Sequence, residues 1–146
     1  TLKWPNDVLI NEKKVCGILA EMEAEADIVK FIILGIGINV NNDISGYIKS
    51  ATSLKEQFGK NISKKKLFLQ LMREIEKMQP YLANPQPIIN KWKRFSSTLG
   101  RYVRIIMQDK ILEGQAIDVD NDGALILKTK DETLKRIVAG DCIHLR

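Results

Sequence analysis

The hydrophobic period of this chain changes once, near residues 96–100, and that change limits the folds open to it. Beyond it lie five short β-rich runs, residues 101–108, 111–119, 124–129, 134–139 and 142–145. They are separated by Asp109-Lys110, Asn121-Asp122-Gly123, residues 130–133 and Gly140-Asp141. Strands this short with turns this tight predict a small closed barrel. Before the change the period is helical. Leu67, Phe68, Leu71, Ile75, Met78 and Leu82 follow Ser63, a good N-cap, and predict an amphipathic helix. A second helix is expected from Pro85, with Ile88, Ile89, Trp92 and Phe95 on its apolar face and Gly100 closing it. This spacing puts Phe68 and Trp92 in the core. Nearer the start the pattern is strand-like: residues 8–10, a polar turn at 11–13, residues 15–19, and a near-continuous apolar run at 28–38 that suits a strand covered on both faces.

The chain has 146 residues, 45% hydrophobic and 28% charged, enough for a core without covalent staples. Cys16 and Cys142 are too far apart in sequence for a metal-ligand spacing and too few for a disulfide framework, which makes a reducing cytoplasm the expected compartment. The longest apolar run is too short to span a bilayer and no signal-type segment precedes it, so neither membrane insertion nor secretion is expected. Acidic and basic residues balance from residue 96 onward, so the net charge of +5 resides in residues 1–95. Its densest part holds Lys60, Lys64, Lys65, Lys66, Arg73, Lys77, Lys91, Lys93 and Arg94 against Glu74 and Glu76. Such a stretch is usually a solvated face, but it would also suit an acidic partner.

Several familiar patterns fail on their spacing. Residues 118–123 open like a calcium loop, but the twelfth position is Thr129 rather than a bidentate Glu and the flanks are strand-like, so a hairpin turn explains them. Gly35 and Gly37 lack the third glycine of a dinucleotide fingerprint, where Val40 stands, and no helix pattern follows. His144 is the single histidine, with nothing nearby for a triad or a zinc site, and reads as structural. Glu21, Glu23 and Glu25 alternate as on an exposed strand face.

Two segments carry more chemistry than a turn needs. Lys3-Trp4-Pro5-Asn6-Asp7 gathers a cation, an aromatic, a rigid turn, an amide and a carboxylate, followed by a hairpin bearing Lys13 and Lys14 and ending at Gly17. Residues 35–42 end the apolar run with glycines that let the main chain approach a ligand and amides able to read a base edge. A lysine over a strand with backbone donors nearby suits a reaction that develops negative charge on phosphate or carboxylate oxygen.

These residues carry a resemblance. KWPNDVLINEKKVCGILAE at residues 3–21 and LGIGINVNN at 34–42, with Ser50-Ala51-Thr52-Ser53-Leu54 after them, closely resemble the biotin protein ligase family, the biotin-[acetyl-CoA-carboxylase] ligases. The resemblance spans essentially the whole chain. It implies an α+β fold: residues 1–97 as the C-terminal part of a class II synthetase-like catalytic domain, a mixed sheet with packed helices, and residues 98–146 as an SH3-like barrel. It also implies a two-step reaction in which biotin and magnesium ATP form biotinyl-5'-adenylate, and the biotinyl group then passes to a lysine of a biotin carboxyl carrier domain. Lys14 matches the lysine that contacts the biotin carboxyl and the adenylate phosphate, with Lys3 a second catalytic cation. Asn6 and Asp7 match the ribose, phosphate and metal side, Asp7 being the magnesium candidate, and Asn39 matches the amide facing the adenine edge. Gly17, Gly35 and Gly37 match positions lining the biotin and adenylate cleft, and Leu19 matches a wall for biotin. Ala51-Thr52 stand where some family members place an aromatic over the adenine. No structural metal is implied.

The family's Gly/Arg-rich biotin and phosphate loop lies before the KWPND segment, and this chain starts at Thr1. The chain thus reads as a piece of a ligase, inactive or nearly so by itself, and DNA enters as a partner only with a further N-terminal domain. Residues 20–28 are expected to join two buried strands as a polar connection, and residues 19–33 to form a homodimer contact that leaves the C-terminal barrel outside. A reading from another class, a non-catalytic β-barrel adaptor whose basic helical arm holds an acidic protein or nucleic acid, accounts for the charge and the barrel but not for residues 1–42.

Overall fold

The computed structural model describes residues 1–25 and 28–145. Its contacts divide the chain into two compact units, Asn6–Lys64 and Thr1–Pro5 with Lys65–Arg146. The division differs from the expected boundary at residues 97/98, because the short N-terminal strand β1 (Leu2–Lys3) and the helices α2 (Lys64–Met78) and α3 (Gln86–Phe95) cluster with the C-terminal strands.

In Asn6–Lys64, strands β2 (Asp7–Ile10), β3 (Lys13–Glu25) and β4 (Ile28–Ile38) form successive antiparallel pairs. Asn11 and Glu12 both take positive φ, 50° and 62°, as a two-residue hairpin turn between right-twisted strands requires. The Asn11 amide donates to Gln57 Oε1 at 2.7 Å and holds that turn. Two expectations are corrected here. β3 continues to Glu25 and pairs with β4 as far as Ile28, so most of the expected polar connection is strand; Ala26 and Asp27 lie outside the described residues. The apolar strand β4 is exposed along most of its length, with Ile28 at 72% and Ile32 at 62%, because among the described residues of this unit its strand partner is β3 and its faces stay open. Glu23 and Glu25 share Lys30, at 3.9 and 2.6 Å, so this acidic face carries its own counter-ion.

The other unit holds β5 (Tyr102–Ile106), β6 (Ile111–Val119), β7 (Leu125–Thr129), β8 (Leu134–Ile137) and β9 (Asp141–His144), in sheet order β8-β7-β6-β5-β9. All five expected strands form, but no ladder joins β8 to β9 among the described residues, so this is a small β-rich domain without shown closure. Alternation builds the core: Val103 and Ile105 are fully buried while Arg104 between them is exposed. Trp4, Ala116, Val119, Leu125, Leu127, Ile137 and Cys142 complete the cluster. A Cβ on Gly114 would lie 2.3 Å from the Lys128 carbonyl oxygen, so only glycine lets β6 and β7 approach there.

The helices follow the period, with three differences. α3 ends at Ser96, whose N–H reaches the Lys93 carbonyl; Gly100 instead takes φ 83° and donates to the Ala116 carbonyl at the entry to β5. Of the two aromatics expected in the core, Trp92 packs against the cluster but Phe68 is 57% exposed. α2 buries none of its residues, for its apolar stripe meets little of its own unit. Among the described residues no helix is long and apolar enough to cross a membrane.

Candidate functional site

The candidate site is one face of the β2-β3-β4 sheet, and a single bulge creates it. Val8 pairs with Cys16 but Leu9 pairs with Lys14, which leaves Val15 as the extra residue on β3. On an unbroken strand Lys14 and Gly17 would point to opposite faces. With the extra residue the alternation skips: Val15 and Cys16 are both buried, and Lys14 falls on the face of Gly17 and Asp7, which are register partners. The Lys14 ammonium lies 2.6 Å from Asp7 Oδ1. That oxygen is buried and accepts no well-angled hydrogen bond, so its partner is the ammonium, whose attraction tolerates a poor angle. A Cβ on Gly17 would sit 3.2 Å from both Cε and Nζ of Lys14, so the missing side chain is the room in which the lysine lies.

Beside this pair runs a floor without side chains. Gly17 faces Gly37 and Leu19 faces Gly35, all on the Lys14 face by strand alternation. Leu19, 59% exposed, is the apolar wall next to the floor. A flat exposed backbone with one cation and one apolar wall can receive a planar or extended ligand bearing an anionic group.

A strap over residues 50–52 fixes Lys14 from its backbone. The Lys14 N–H donates to the Ser50 carbonyl at 2.8 Å, and the Thr52 N–H donates to the Lys14 carbonyl at 2.9 Å. Ala51 and Thr52, expected near the adenine, are the buried middle of this strap. The Thr52 hydroxyl donates to Glu56 and accepts from Gln57, so it serves the protein. The Asn39 amide donates to the Thr52 carbonyl at 3.1 Å, and the Asn6 amide to the Ile18 carbonyl at 2.7 Å. The Asn41 amide is spent on both backbone groups of Ile62. Lys3 belongs to the other unit, where its charge opposes the burial that pushes the Cys142 thiol up to about 11. Cys16 is also raised by burial, and both thiols are free and buried, which makes them poor nucleophiles.

One residue escaped the sequence reading although its signal is present. Ser53-Leu54-Lys55-Glu56 is a capping box opening α1 (Leu54–Phe58): Ser53 accepts from the Glu56 N–H, and Glu56 Oε2 accepts from the Ser53 N–H. Glu56 Oε1 also accepts from the Ile44 and Ser45 N–H groups and the Ser45 hydroxyl, which ties residues 44–45 to the strap. These bonds, the Ser45 N–H first, hold its carboxyl at about 2, against an ordinary 4.5. A carboxyl lowered on folding stabilises fully above its unfolded value and loses that contribution as the pH falls to the folded one. The melting temperature of wild type should therefore exceed that of Glu56→Gln at neutral pH, and the gap should close between pH 4.5 and 2. A gap independent of pH in thermal melts would contradict this role.

Among the described residues no three His, Cys, Asp or Glu side chains gather to hold a metal ion. Asp7 is a lone carboxylate already paired with an ammonium, a donor set that does not fit a resident divalent cation. In residues 118–123 Asp120 accepts from the Asp122 and Ala124 N–H groups, and Arg136 pairs with both Asp120 and Asp122, so the turn is internally satisfied. His144 Nε2 lies 3.0 Å from the buried Thr98 hydroxyl, which accepts from the Trp4 N–H.

Comparison with known proteins bears on the family rather than on single residues. Residues 98–145 match the family model of the biotin protein ligase C terminal domain, and residues 1–39 match that of the biotin/lipoate A/B protein ligase family. These matches and the relatives below support a biotin protein ligase fragment. It is 38% identical to the bifunctional ligase/repressor BirA of Bacillus subtilis, over 96% of this chain and 45% of that protein. To the biotin--[acetyl-CoA-carboxylase] ligase of Mycobacterium tuberculosis it is 36% identical, over 99% of this chain and 53% of that one. The apo biotin protein ligase of Aquifex aeolicus superposes with a TM-score of 0.81 at 31% identity, over 99% of this chain and 64% of that one. The same enzyme in complex with biotin and ATP gives 0.79, over 61% of its chain. The chain thus spans about half the length of the curated relatives it matches.

Proposed function

We propose that this chain is the adenylate-holding portion of an ATP-dependent biotin protein ligase, which activates biotin as biotinyl-5'-adenylate and passes it to a lysine of a biotin carboxyl carrier domain. The observation that carries the reading is the bulge-set Lys14 beside the floor of Gly17, Gly35 and Gly37, in a chain similar to a ligase solved with biotin and ATP. Attack of the biotin carboxylate on the α-phosphate gathers negative charge on the phosphate oxygens. A positioned ammonium stabilises that charge. The floor admits the ligand's planar groups against the backbone, with Leu19 against the apolar part of biotin. Asn6 and Asp7 stand on the ribose and phosphate side and Asn39 toward the adenine edge; the family resemblance alone gives Lys3 a role in adenylation or transfer. Any magnesium would come as the counter-ion of the triphosphate, because Asp7 is paired with Lys14. A division into a catalytic part, residues 1–97, and a C-terminal part, residues 98–146, is supported by the start of the C-terminal family match at residue 98. A cytoplasmic location suits an ATP-consuming protein with two free thiols. The adaptor reading finds no support among the matches. Biotin-dependent pyrophosphate release from ATP by a full-length ligase containing this segment, followed by labelling of a carrier domain, tests the reading; ATP turnover indifferent to biotin would overturn it.

Self-association belongs to the same reading. Leu19, Met22, Phe31, Ile32 and Ile33 are roughly half exposed or more, and β4 ends the sheet order. An exposed apolar edge strand is a template for a second copy. Light scattering should give a dimer that Ile32→Asp converts to monomer; a monomer at every concentration would remove this contact.

A further inference from the structure

We propose that Asp7 is the positioning residue of Lys14: it holds the ammonium above the glycine floor and yields it to an anionic oxygen of the ligand. The inference rests on the ligase reading of the face and deepens it, giving Asp7 a task other than metal binding.

Three observations converge on it. The 2.6 Å pair joins an aspartate side chain that is 17% exposed to a lysine side chain that is 48% exposed, so the anion is the more enclosed member and the cation the one with room to move. Asp7 Oδ1 is buried without a well-angled hydrogen bond, so the ammonium is its compensation. Gly17, the register partner of Asp7, leaves the space through which the lysine chain reaches that oxygen. A carboxylate with these neighbours both restrains a flexible four-carbon side chain and competes with any incoming anion for the same charge. The competition predicts an effect opposite to that of losing a ligand contact. Asp7→Asn should bind a carboxylate ligand more tightly, because a like charge is gone, while Lys14 loses its set position.

The test uses the 146-residue chain and Asp7→Asn, with Asp43→Asn as a control that removes an exposed ion pair to Lys55 in the same unit. Trace acylation of amines followed by mass spectrometry reads Lys14 without any ligand. Its rate should rise roughly fivefold in Asp7→Asn, about the factor carried by a strong partly exposed ion pair, and not in Asp43→Asn. Biotin and its uncharged amide are then titrated separately. Asp7→Asn should tighten biotin severalfold and leave biotinamide within about twofold of wild type, a split that a folding defect would not produce. In a full-length ligase the same variant should lower kcat for adenylate formation while lowering KM for biotin. Unchanged Lys14 reactivity, or equal weakening of both ligands, overturns the proposal. So does a loss of binding that excess magnesium restores, which would make Asp7 a metal ligand. Failure of a full-length ligase containing this segment to bind biotin counts against the ligase reading and removes the exchange, while Lys14 reactivity still reports separately on the Asp7 contact.

Discussion

Lys14→Ala in a full-length ligase containing this segment is expected to slow biotinyl-adenylate formation by roughly two to three orders of magnitude, about 2.7–4 kcal/mol of lost transition-state stabilisation by the measure of single electrostatic donors. The cause is local. The bulge at Val15, the room at Gly17 and the strap from Ser50 to Thr52 place one ammonium beside an exposed backbone floor. Lys14→Arg should recover little, because the longer planar guanidinium does not fit the same clearance. Single-turnover pyrophosphate release separates this effect from biotin affinity. A mutant with near-wild-type release would remove Lys14 from the chemistry.

The second large effect is on stability. Trp4→Ala should destabilise the unit of the C-terminal sheet by roughly 3–5 kcal/mol, the usual cost of deleting a buried large aromatic. Trp4 is 3% exposed within the cluster of Val103, Ile105, Leu125 and Leu127, and its indole donates to the Gly123 carbonyl at 3.0 Å while its N–H reaches Thr98. Trp4→Phe keeps most of the packing and leaves the Gly123 carbonyl without its donor, at about 1–2 kcal/mol. Urea unfolding followed by near-ultraviolet circular dichroism measures both. A change below about 1 kcal/mol for Trp4→Ala would mean that the cluster repacks without it.

Trp4 also shows where sequence reasoning loses its hold. In the sequence it stands only as the aromatic of a chemistry-rich segment with Lys3, Pro5, Asn6 and Asp7, yet it is a core residue of strands a hundred positions away, a contact no local pattern announces. The five C-terminal strands were legible because alternation and turn residues are local signals, as was the Asn11-Glu12 turn. The candidate residues could be named from the sequence, but their geometry could not. Val15-Cys16 looks like any apolar pair, and only the register reveals an extra residue that turns Lys14 onto the face of Gly17. Asn41 reads as a base-reading amide because sequence does not reveal that Ile62 consumes it. The exposed apolar strand β4 reads as buried because hydrophobicity records what a segment would bury, not what is present to cover it. Glu56 was missed although Ser53-Leu54-Lys55-Glu56 carries the capping pattern.

The central claim is that the glycine floor beside Lys14 holds the adenylate. Titrating the isotopically labelled chain with a non-hydrolysable biotinyl-adenylate analogue and following backbone amide resonances tests it most directly. The account predicts saturable shifts at Gly17, Gly35 and Gly37, with Lys14 moving alongside them and Lys14→Ala weakening the response. Silence at those glycines with a response along Lys64–Met78 to the analogue or to single-stranded nucleic acid would contradict it.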